Sequence, residues 1–344
     1  YARTCSATCS IRRTRIPQQG KLNRCLNMNL ETALFNTRNV IRLRHLSHST
    51  EENYLQWLRR YGRFVSEQCA PEQKPEHKME MFLTQLAKQD VSASTQNQAF
   101  CALMFFYREV LKMQLGKVDS LRAKKPVHLR YAPERAEVLA MLRNVKDEAD
   151  YPTALIAKLI YGCGLRVSEP LNLRVKDVLL DESKLVICGA KGGKDRLVPI
   201  PCSLIGELKA QLAYAKSVAE KDRIAGLPVK LPGLLATKYP HWQFSPKWAF
   251  LFPAHRACEF RGLVCRWRVH EANVQRAVRK AARPLGLDIT PHHLRHAYAT
   301  HCLNAGQNPR AIQQAMGHSQ LETTMGYLHA EAMSVRSPLE LVAA

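Results

Sequence analysis

Residues 290–300 read Thr290-Pro291-His292-His293-Leu294-Arg295-His296-Ala297-Tyr298-Ala299-Thr300. The spacing of the apolar residues predicts a helix over 293–305. His292 and Arg295 would then lie at the start of this helix. An imidazole and a permanently charged guanidinium are therefore expected close together.

Similar groups stand in short stretches on both sides of this one. They are Arg166 and Glu169 in 164–169, Lys191 in 189–194, His318 in 316–318 and Tyr327 in 323–329. Two arginines, a lysine, two histidines and a tyrosine form a set that could hold a phosphodiester and attack it without a metal. The set indicates an enzyme that transfers DNA strands.

The two arginines could act as a phosphate clamp. Arginine forks bind phosphate oxygens in pairs and stay charged. Arg166 and Arg295 are predicted at separate helix starts, so both could converge on one phosphate. Phosphoryl transfer depends mainly on positioning and electrostatic stabilisation, which two arginines could supply without magnesium. Glu169 and Asp177 stand alone among cations in the sequence, so we predict no metal and no other cofactor.

The predicted nucleophile is Tyr327. A free phenol has a pKa of about 10, and nearby cations favour its ionised form. His292 could assist as a base or hydrogen-bond donor, and His318 could donate to a phosphate oxygen. Lys191, at the tip of a predicted hairpin, fits the acid that protonates the leaving 5′ oxygen. The product would be a phosphotyrosyl ester that retains the bond energy, so rejoining would need no ATP.

Composition supports a polyanionic partner. The 344 residues carry a formal net charge of +22 and a pI near 9.7, which favours nucleic acid. From charge alone, a basic protein without a nucleic-acid role stays open. The 11 cysteines form no CxxC pair, which predicts a reducing, cytoplasmic setting. His293, His296 and His301 fit no common zinc spacing. No apolar run reaches membrane-spanning length, so we predict no membrane contact.

The predicted fold class is mainly α with a small antiparallel β-sheet, in two domains. The predicted organisation is a poorly ordered extension over 1–38, a helical domain over 39–116, a basic linker over 117–135, a larger domain over 136–333 with an unusual segment at about 226–270, and a tail over 334–344.

Periodicity predicts the elements of both domains. In the first domain, Ser49-Thr50-Glu51-Glu52 has the pattern of a capping box, followed by an apolar stripe that is more typical of a core than of a base-stacking surface. Further helices are predicted at 76–88, from near Ser94, and at 136–146, 152–161, 203–221, 272–285, 309–316 and 321–327. Strands are predicted at 184–187 and 196–200.

Candidate DNA-binding residues lie outside the catalytic set. Arg59 and Arg63 lie on the polar face of the first long helix, and Lys124 and Lys125 in the basic linker, where solvation is an equal alternative. The segment 226–270 interleaves aromatic and basic residues, which suits stacking on unpaired bases or, equally, a small satellite core. The candidates there are Lys238, Tyr239, His241, Trp242, Trp248, Arg266, Trp267 and Arg268.

The order of the catalytic set resembles that of the tyrosine recombinase, or phage integrase, family. From roughly residue 40 to 333 the sequence is similar to that family, and residues 290–300 are close to its densest motif. The resemblance implies a helical DNA-binding domain and a catalytic domain that clamp DNA. It also implies four protomers in the DNA synapse and a monomer or weak assembly when free. It selects Lys191 over Lys194 for the lysine role and gives Glu169 a supporting role beside Arg166.

Within the family the chain looks most like an integron integrase, which inserts and excises gene cassettes. Residues 41–51, the insert from about 231 to 253 and residues 270–278 carry this similarity. The resemblance implies recognition of extrahelical bases on folded single-stranded sites as well as duplex DNA. Trp267-Arg268 departs from the subgroup's usual histidines, which puts that recognition in question. A non-catalytic DNA-binding relative and a type IB topoisomerase are the alternatives.

Overall fold

The computed structural model describes residues 29–89, 91–116, 132–149, 151–189, 195–260 and 262–317. The chain divides into two compact units, Tyr1–His128 and Leu129–Ala344. It is mainly helical with small antiparallel sheets, which confirms the predicted fold class. In the part described, no helix is both long and apolar enough to cross a membrane.

The first unit is a helical bundle. Its described elements are α1 (Leu30–Leu43), α2 (His48–Gln68), α3 (Pro75–Lys88) and α4 (Ala93–Phe105), which continues into a π-helical turn at Phe106–Val110. The predicted apolar stripe of α2 is core: Leu58, Tyr61 and Phe64 are buried against the other helices. Tyr61 also shares a 2.7 Å hydrogen bond with Tyr107.

Helix α1 corrects the predicted start of this unit. Residues 30–38, assigned from sequence to a poorly ordered extension, are helical, and Ala33, Leu34 and Ile41 are buried. Thr37 completes this buried face, and its hydroxyl donates to the Ala33 carbonyl at 2.7 Å. Thr37 is a polar residue in the middle of the apolar stripe, and it weakens the helical pattern in the sequence.

The cap of α2 also differs from the prediction. Ser47, not Ser49, caps the helix by accepting the Thr50 N–H at 3.1 Å. Glu51, next to the predicted box residue Glu52, is buried and binds Arg42 of α1 at 2.9 Å. The local cap is therefore Ser47, two residues before the predicted one, and Glu51 forms an ion pair between helices.

The second unit contains both helices and strands. They are α5 (Arg135–Asn144), α6 (Thr153–Gly162), α7 (Ser168–Asn172), β1 (Val178–Leu179), β2 (Lys184–Ile187), β3 (Arg196–Pro199), α8 (Ile205–Ile224), α9 (Leu235–Lys238), β4 (Cys258–Phe260), β5 (Leu263–Cys265), α10 (Glu271–Ala282), α11 (Pro291–Asn304) and α12 (Pro309–Met316). The predicted helix at 321–327 lies outside the described residues.

Packing in this unit brings distant segments together. Strands β1, β2 and β3 form an antiparallel sheet in which Ile187 pairs with Arg196. Helix α6 packs against α10 and α11, and α12 packs against β3. The residues before α7, the start of β3, the first turn of α11 and the end of α12 thus meet. The short hairpin β4–β5, which the sequence did not predict, lies in the insert.

Candidate active site

A buried carboxylate forms the centre of the candidate site. Glu169 lies in α7, and 7% of its side chain is exposed. It accepts the Arg166 backbone N–H at 2.8 Å and Arg166 Nη1 at 2.9 Å. The predicted supporting residue therefore holds both the backbone and the guanidinium of Arg166.

Two more arginines reach the same carboxylate from other elements. Arg196 of β3 donates both terminal nitrogens to Glu169, at 3.0 and 2.7 Å. Arg295 of α11 lies with Nη1 3.7 Å from Glu169 Oε2. The structure thus brings the predicted clamp residues Arg166 and Arg295 together, with Arg196 as a third cation.

Each arginine also donates to the C-terminal end of α12. Arg196 Nε binds the Ala315 carbonyl at 2.7 Å, Arg295 Nη2 binds that of Met316 at 2.7 Å, and Arg166 Nη2 binds that of Gly317 at 3.3 Å. These are orphan carbonyls at the negative end of a helix dipole, where cations are favourable. Three consecutive carbonyls are therefore held by three arginines.

The charges around Glu169 keep it ionised. Burial opposes its ionisation, but hydrogen bonds and charge from Arg196, with the Arg166 N–H and the charge of Arg295, outweigh burial. The pKa of Glu169 consequently lies below its usual value. One carboxylate facing three guanidiniums leaves a net positive site, which suits a phosphodiester.

Arg166 and His292 are the solvent-facing members of the site. Arg166 keeps 29% of its side chain exposed, against 4% for Arg295. His292 is exposed in the first turn of α11, three residues before Arg295 and so on the same helix side. A phosphate approaching from solvent would meet these two side chains first.

The other histidines of this helix have local roles. His293 accepts the Thr290 N–H at 3.2 Å and so caps the helix. His296 is buried with its ring 4.0 Å from that of His292. His301 lies between the Tyr161 hydroxyl and the Pro133 carbonyl. Over the residues described, no three His, Cys, Asp or Glu side chains are grouped to hold a metal ion.

Lys191, His318 and Tyr327 lie outside the described residues, as do Lys124 and Lys125. The structure does describe the residues next to the segments that carry Lys191 and His318. Asp195 accepts the Gly189 N–H at 2.8 Å, just outside the segment carrying Lys191. Gly317, directly before His318, ends α12 with a left-handed φ of +64°.

Gly164 supports the clamp through its backbone. Its φ is +63°, and its carbonyl accepts Arg295 Nη1 at 2.6 Å. We expect Gly164→Ala to lower the free energy of unfolding by at least about 2 kcal/mol, because a Cβ would be strained and would overpack the site. That Cβ would lie 2.4 Å from the Tyr298 ring. Urea unfolding of the purified protein measures the loss.

The matched control for this substitution is Gly226→Ala. Gly226 has a φ of +66°, but a Cβ there meets nothing within 4 Å. It therefore isolates the backbone strain from the clash with Tyr298. Equal losses in the two variants would show that the contact with Tyr298 has no energetic consequence.

The segment 226–270, called the insert below, contains a small satellite core, which is one of the two interpretations that its sequence allows. Val229, Leu231 and Phe250 are buried, and the aromatic side chains packed on them include Trp242, Trp248 and Trp267. Tyr239 stacks on Trp242 at 4.2 Å, and Trp242 on Trp248 at 5.1 Å. The outer ring of this stack, Tyr239, is 41% exposed, so the stack also offers a face to solvent.

The basic residues of the insert divide into two groups. Lys238 and His241 are exposed, and their assignment to DNA binding stays a prediction. Arg266, assigned from sequence to DNA binding, instead donates to Asp222 at 2.7 and 2.5 Å and to the carbonyls of Ala254 and His255. Its guanidinium is engaged inside the fold, which corrects the prediction. Arg268 is 15% exposed and lies 3.3 Å from Glu271, so it too binds within the protein.

Arg59 and Arg63 of the first unit are exposed on α2, opposite its buried stripe. Arg60 packs on the Trp57 ring at 4.5 Å. Their placement leaves a basic helix face at the surface of this unit.

The residue that sequence reasoning missed is Arg196. Strand alternation offers a signal, because Arg196 precedes the buried Val198 by two residues and so shares its face. A charged residue on a buried strand face requires a partner, and Glu169 provides it.

Sequence profiles of known families match both units. The profile described as "Phage integrase family" matches residues 134–333, and "Phage integrase, N-terminal SAM-like domain" matches residues 34–117. The second match begins inside α1, in agreement with the corrected start of the bundle.

Curated relatives extend the similarity over most of the chain. A protein named "Integrase/recombinase" from Escherichia coli is 36% identical over 313 residues, covering 88% of this chain and 91% of the relative. "Tyrosine recombinase XerA" from Thermococcus kodakarensis is 31% identical over 295 residues, covering 86% and 89%.

A solved structure shares the fold at low identity. A lambda integrase dimer bound to a COC' core site has a TM-score of 0.61 at 16% identity, covering 95% of this chain and 84% of that one.

Proposed function

The chain belongs to the tyrosine recombinase, or phage integrase, family of site-specific DNA recombinases, and from this premise we propose that it is an integron integrase. It cuts and rejoins DNA strands through a 3′-phosphotyrosyl intermediate, and so inserts and excises gene cassettes. The observation that carries the catalytic part is the Arg166–Glu169–Arg295 cluster, a positive and largely buried site beside the solvent-facing His292.

In the proposed reaction, Arg166 and Arg295 bind the non-bridging oxygens of the scissile phosphate. Glu169 orients both guanidiniums, and His292 and His318 donate to the same phosphate or assist the nucleophile. The net positive charge of the cluster supports this assignment, because charge on those oxygens grows in the transition state. The clamp itself needs no metal.

The covalent step is an in-line displacement. His292 takes the proton of the Tyr327 hydroxyl as the Tyr327 oxygen attacks phosphorus, the bond from phosphorus to the 5′ oxygen breaks, and Lys191 gives the departing oxygen a proton. A 5′-hydroxyl from a partner strand then reverses these steps and releases Tyr327. The phosphodiester energy is kept in the ester, so ligation proceeds without ATP.

We propose a DNA-bound tetramer as the working assembly, with a monomer or weak association in free solution. Exchange between two duplexes needs one nucleophile for each of four strands, and one protomer supplies one Tyr327. The exposed basic face of α2, with Arg59 and Arg63, supports contact with the DNA backbone.

The cassette-specific part of the proposal rests on the insert. The exposed Tyr239 ring at the end of the Tyr239–Trp242–Trp248 stack, flanked by Lys238 and His241, supports capture of a base that is already outside the duplex. Such a base costs little to bind because it has no stacking to lose.

A selection with randomised DNA tests the proposal without a known target site. The protein is incubated with a pool of imperfect single-stranded hairpins carrying extrahelical bases, and separately with the same pool as full duplex. DNA that stays attached after denaturation is recovered and sequenced. We expect hairpin adducts that share a common cleavage position and retain their extrahelical bases.

The outcomes separate the finer proposal from the coarser one. Adducts from duplex alone would keep the phosphotyrosyl chemistry and remove the folded-strand specificity. Adducts spread without site preference, with relaxation of supercoiled plasmid, would indicate a topoisomerase. Salt-dependent binding with no adduct in either pool would indicate a non-catalytic DNA-binding protein.

A further inference from the structure

Arg196 is a largely buried cation with no part in the reaction as proposed. Only 9% of its side chain is exposed. Both terminal nitrogens donate to Glu169, and Nε donates to the Ala315 carbonyl. Nε, Nη1 and Nη2 of Arg196 all donate to acceptors within the protein.

We infer that Arg196 is a positioning residue for DNA cleavage, acting through Glu169 on the phosphate-binding arginines and through Ala315 on the end of α12. This inference rests on the proposed function, because it assigns Arg196 a role in that same site. Two separate contacts carry it.

The first contact sets the orientation of Glu169. The carboxylate receives a fork from Arg196 on one side and Nη1 of Arg166 on the other, and both share Oε1. Without Arg196, the carboxylate can rotate, and Arg166 loses the fixed partner that aims it. A displacement of about 1 Å in a positioning group can cost about 100-fold in rate.

The second contact sets the end of α12. Arg196 binds Ala315 and packs against Gly317, where an added Cβ would lie 3.1 Å from its Nη1. Gly317 is the last described residue before the segment that carries His318 and Tyr327. Arg196 therefore joins the carboxylate of the clamp to the backbone that leads into the proposed nucleophile.

The test compares cleavage of a charged and a neutral scissile group. A hairpin that the wild-type protein cleaves in the selection is prepared with a phosphate or with a methylphosphonate at the scissile position. Adduct formation is timed at saturating protein for wild type, Arg196→Met and Arg196→Lys. Lys184→Met is the matched control, because Lys184 lies on the neighbouring strand β2 and pairs with Glu182 at the surface.

We expect Arg196→Met to bind DNA normally and to cleave the phosphate on the order of 100-fold more slowly. On the methylphosphonate it should stay within about tenfold of wild type, because a neutral group depends less on the aim of the guanidiniums. Arg196→Lys keeps the charge but cannot bridge both carboxylate oxygens and Ala315, so we expect an intermediate loss with the same substrate dependence.

Two results would overturn the inference. One is a wild-type rate of phosphate cleavage in Arg196→Met. The other is an equal loss on both substrates, as expected if Arg196 only stabilises the fold. If Arg196→Met does not fold, Arg196→Lys decides by the same comparison. Failure of the wild-type protein to form any adduct would refute the proposed function on which the inference depends.

Discussion

Tyr327→Phe is expected to bind DNA as tightly as the wild-type protein and to form no covalent complex with it. The substitution removes one hydroxyl and leaves the arginine cluster and the basic surfaces intact. No phosphotyrosyl ester can form without that oxygen, so the loss of cleavage is complete. A gel shift measures binding, and a denaturing gel of the same samples measures the adduct.

Tyr214→Phe is the matched control. Tyr214 is 45% exposed on α8, so it tests whether any accessible tyrosine contributes to the adduct. We expect its adduct yield to equal that of the wild-type protein. A covalent complex formed by Tyr327→Phe would show that another residue is the nucleophile.

Tyr298 is the tyrosine packed directly on the cluster, and it is a poor rival for this role. It lies in α11 against Gly164, where the Tyr298 ring fills the space that a Cβ would need. Burial raises its pKa above the ordinary phenol value, with smaller contributions from Cys302 and Cys163. A phenol that is harder to ionise presents less phenolate at neutral pH, so Tyr298 is a poor candidate for the nucleophile.

The elements that the sequence predicted well have regular patterns. Residues 309–316 form α12 and residues 184–187 form β2, as predicted, because each segment combines clear periodicity with sharp ends. Asn308 caps α12 through its side chain, and Gly317 ends it in a left-handed conformation. Local signals were sufficient in these places.

The roles that the sequence did not reveal belong to residues in long-range ion pairs. Glu51 pairs with Arg42 across two helices, and Arg266 pairs with Asp222 across 44 residues of chain. Local patterns gave no sign of the Glu51 pair and assigned Arg266 to DNA, because neither partner is recognisable before the chain folds. Arg196 belongs to the same class, since Glu169 lies 27 residues away.

Arg295→Lys is expected to lower the cleavage rate by about 100- to 1000-fold, equivalent to roughly 3–4 kcal/mol of transition-state stabilisation. The guanidinium of Arg295 spans two carbonyls, Gly164 and Met316, while lying 3.7 Å from Glu169. Lysine keeps the positive charge, but its single ammonium cannot keep both carbonyls and also bind a phosphate as a planar fork. The measurement is the rate of adduct formation at saturating DNA.

The control for this variant is Arg143→Lys, at an exposed position on α5. It makes the same chemical change away from the cluster and should leave the cleavage rate unchanged. A near-normal rate in Arg295→Lys would show that charge alone is sufficient and would remove the argument for a bidentate clamp. A large loss of cleavage rate in Arg295→Lys, with unchanged DNA affinity, would support the bidentate clamp. It would show that the fork acts mainly in the transition state, where charge on the phosphate oxygens is greatest.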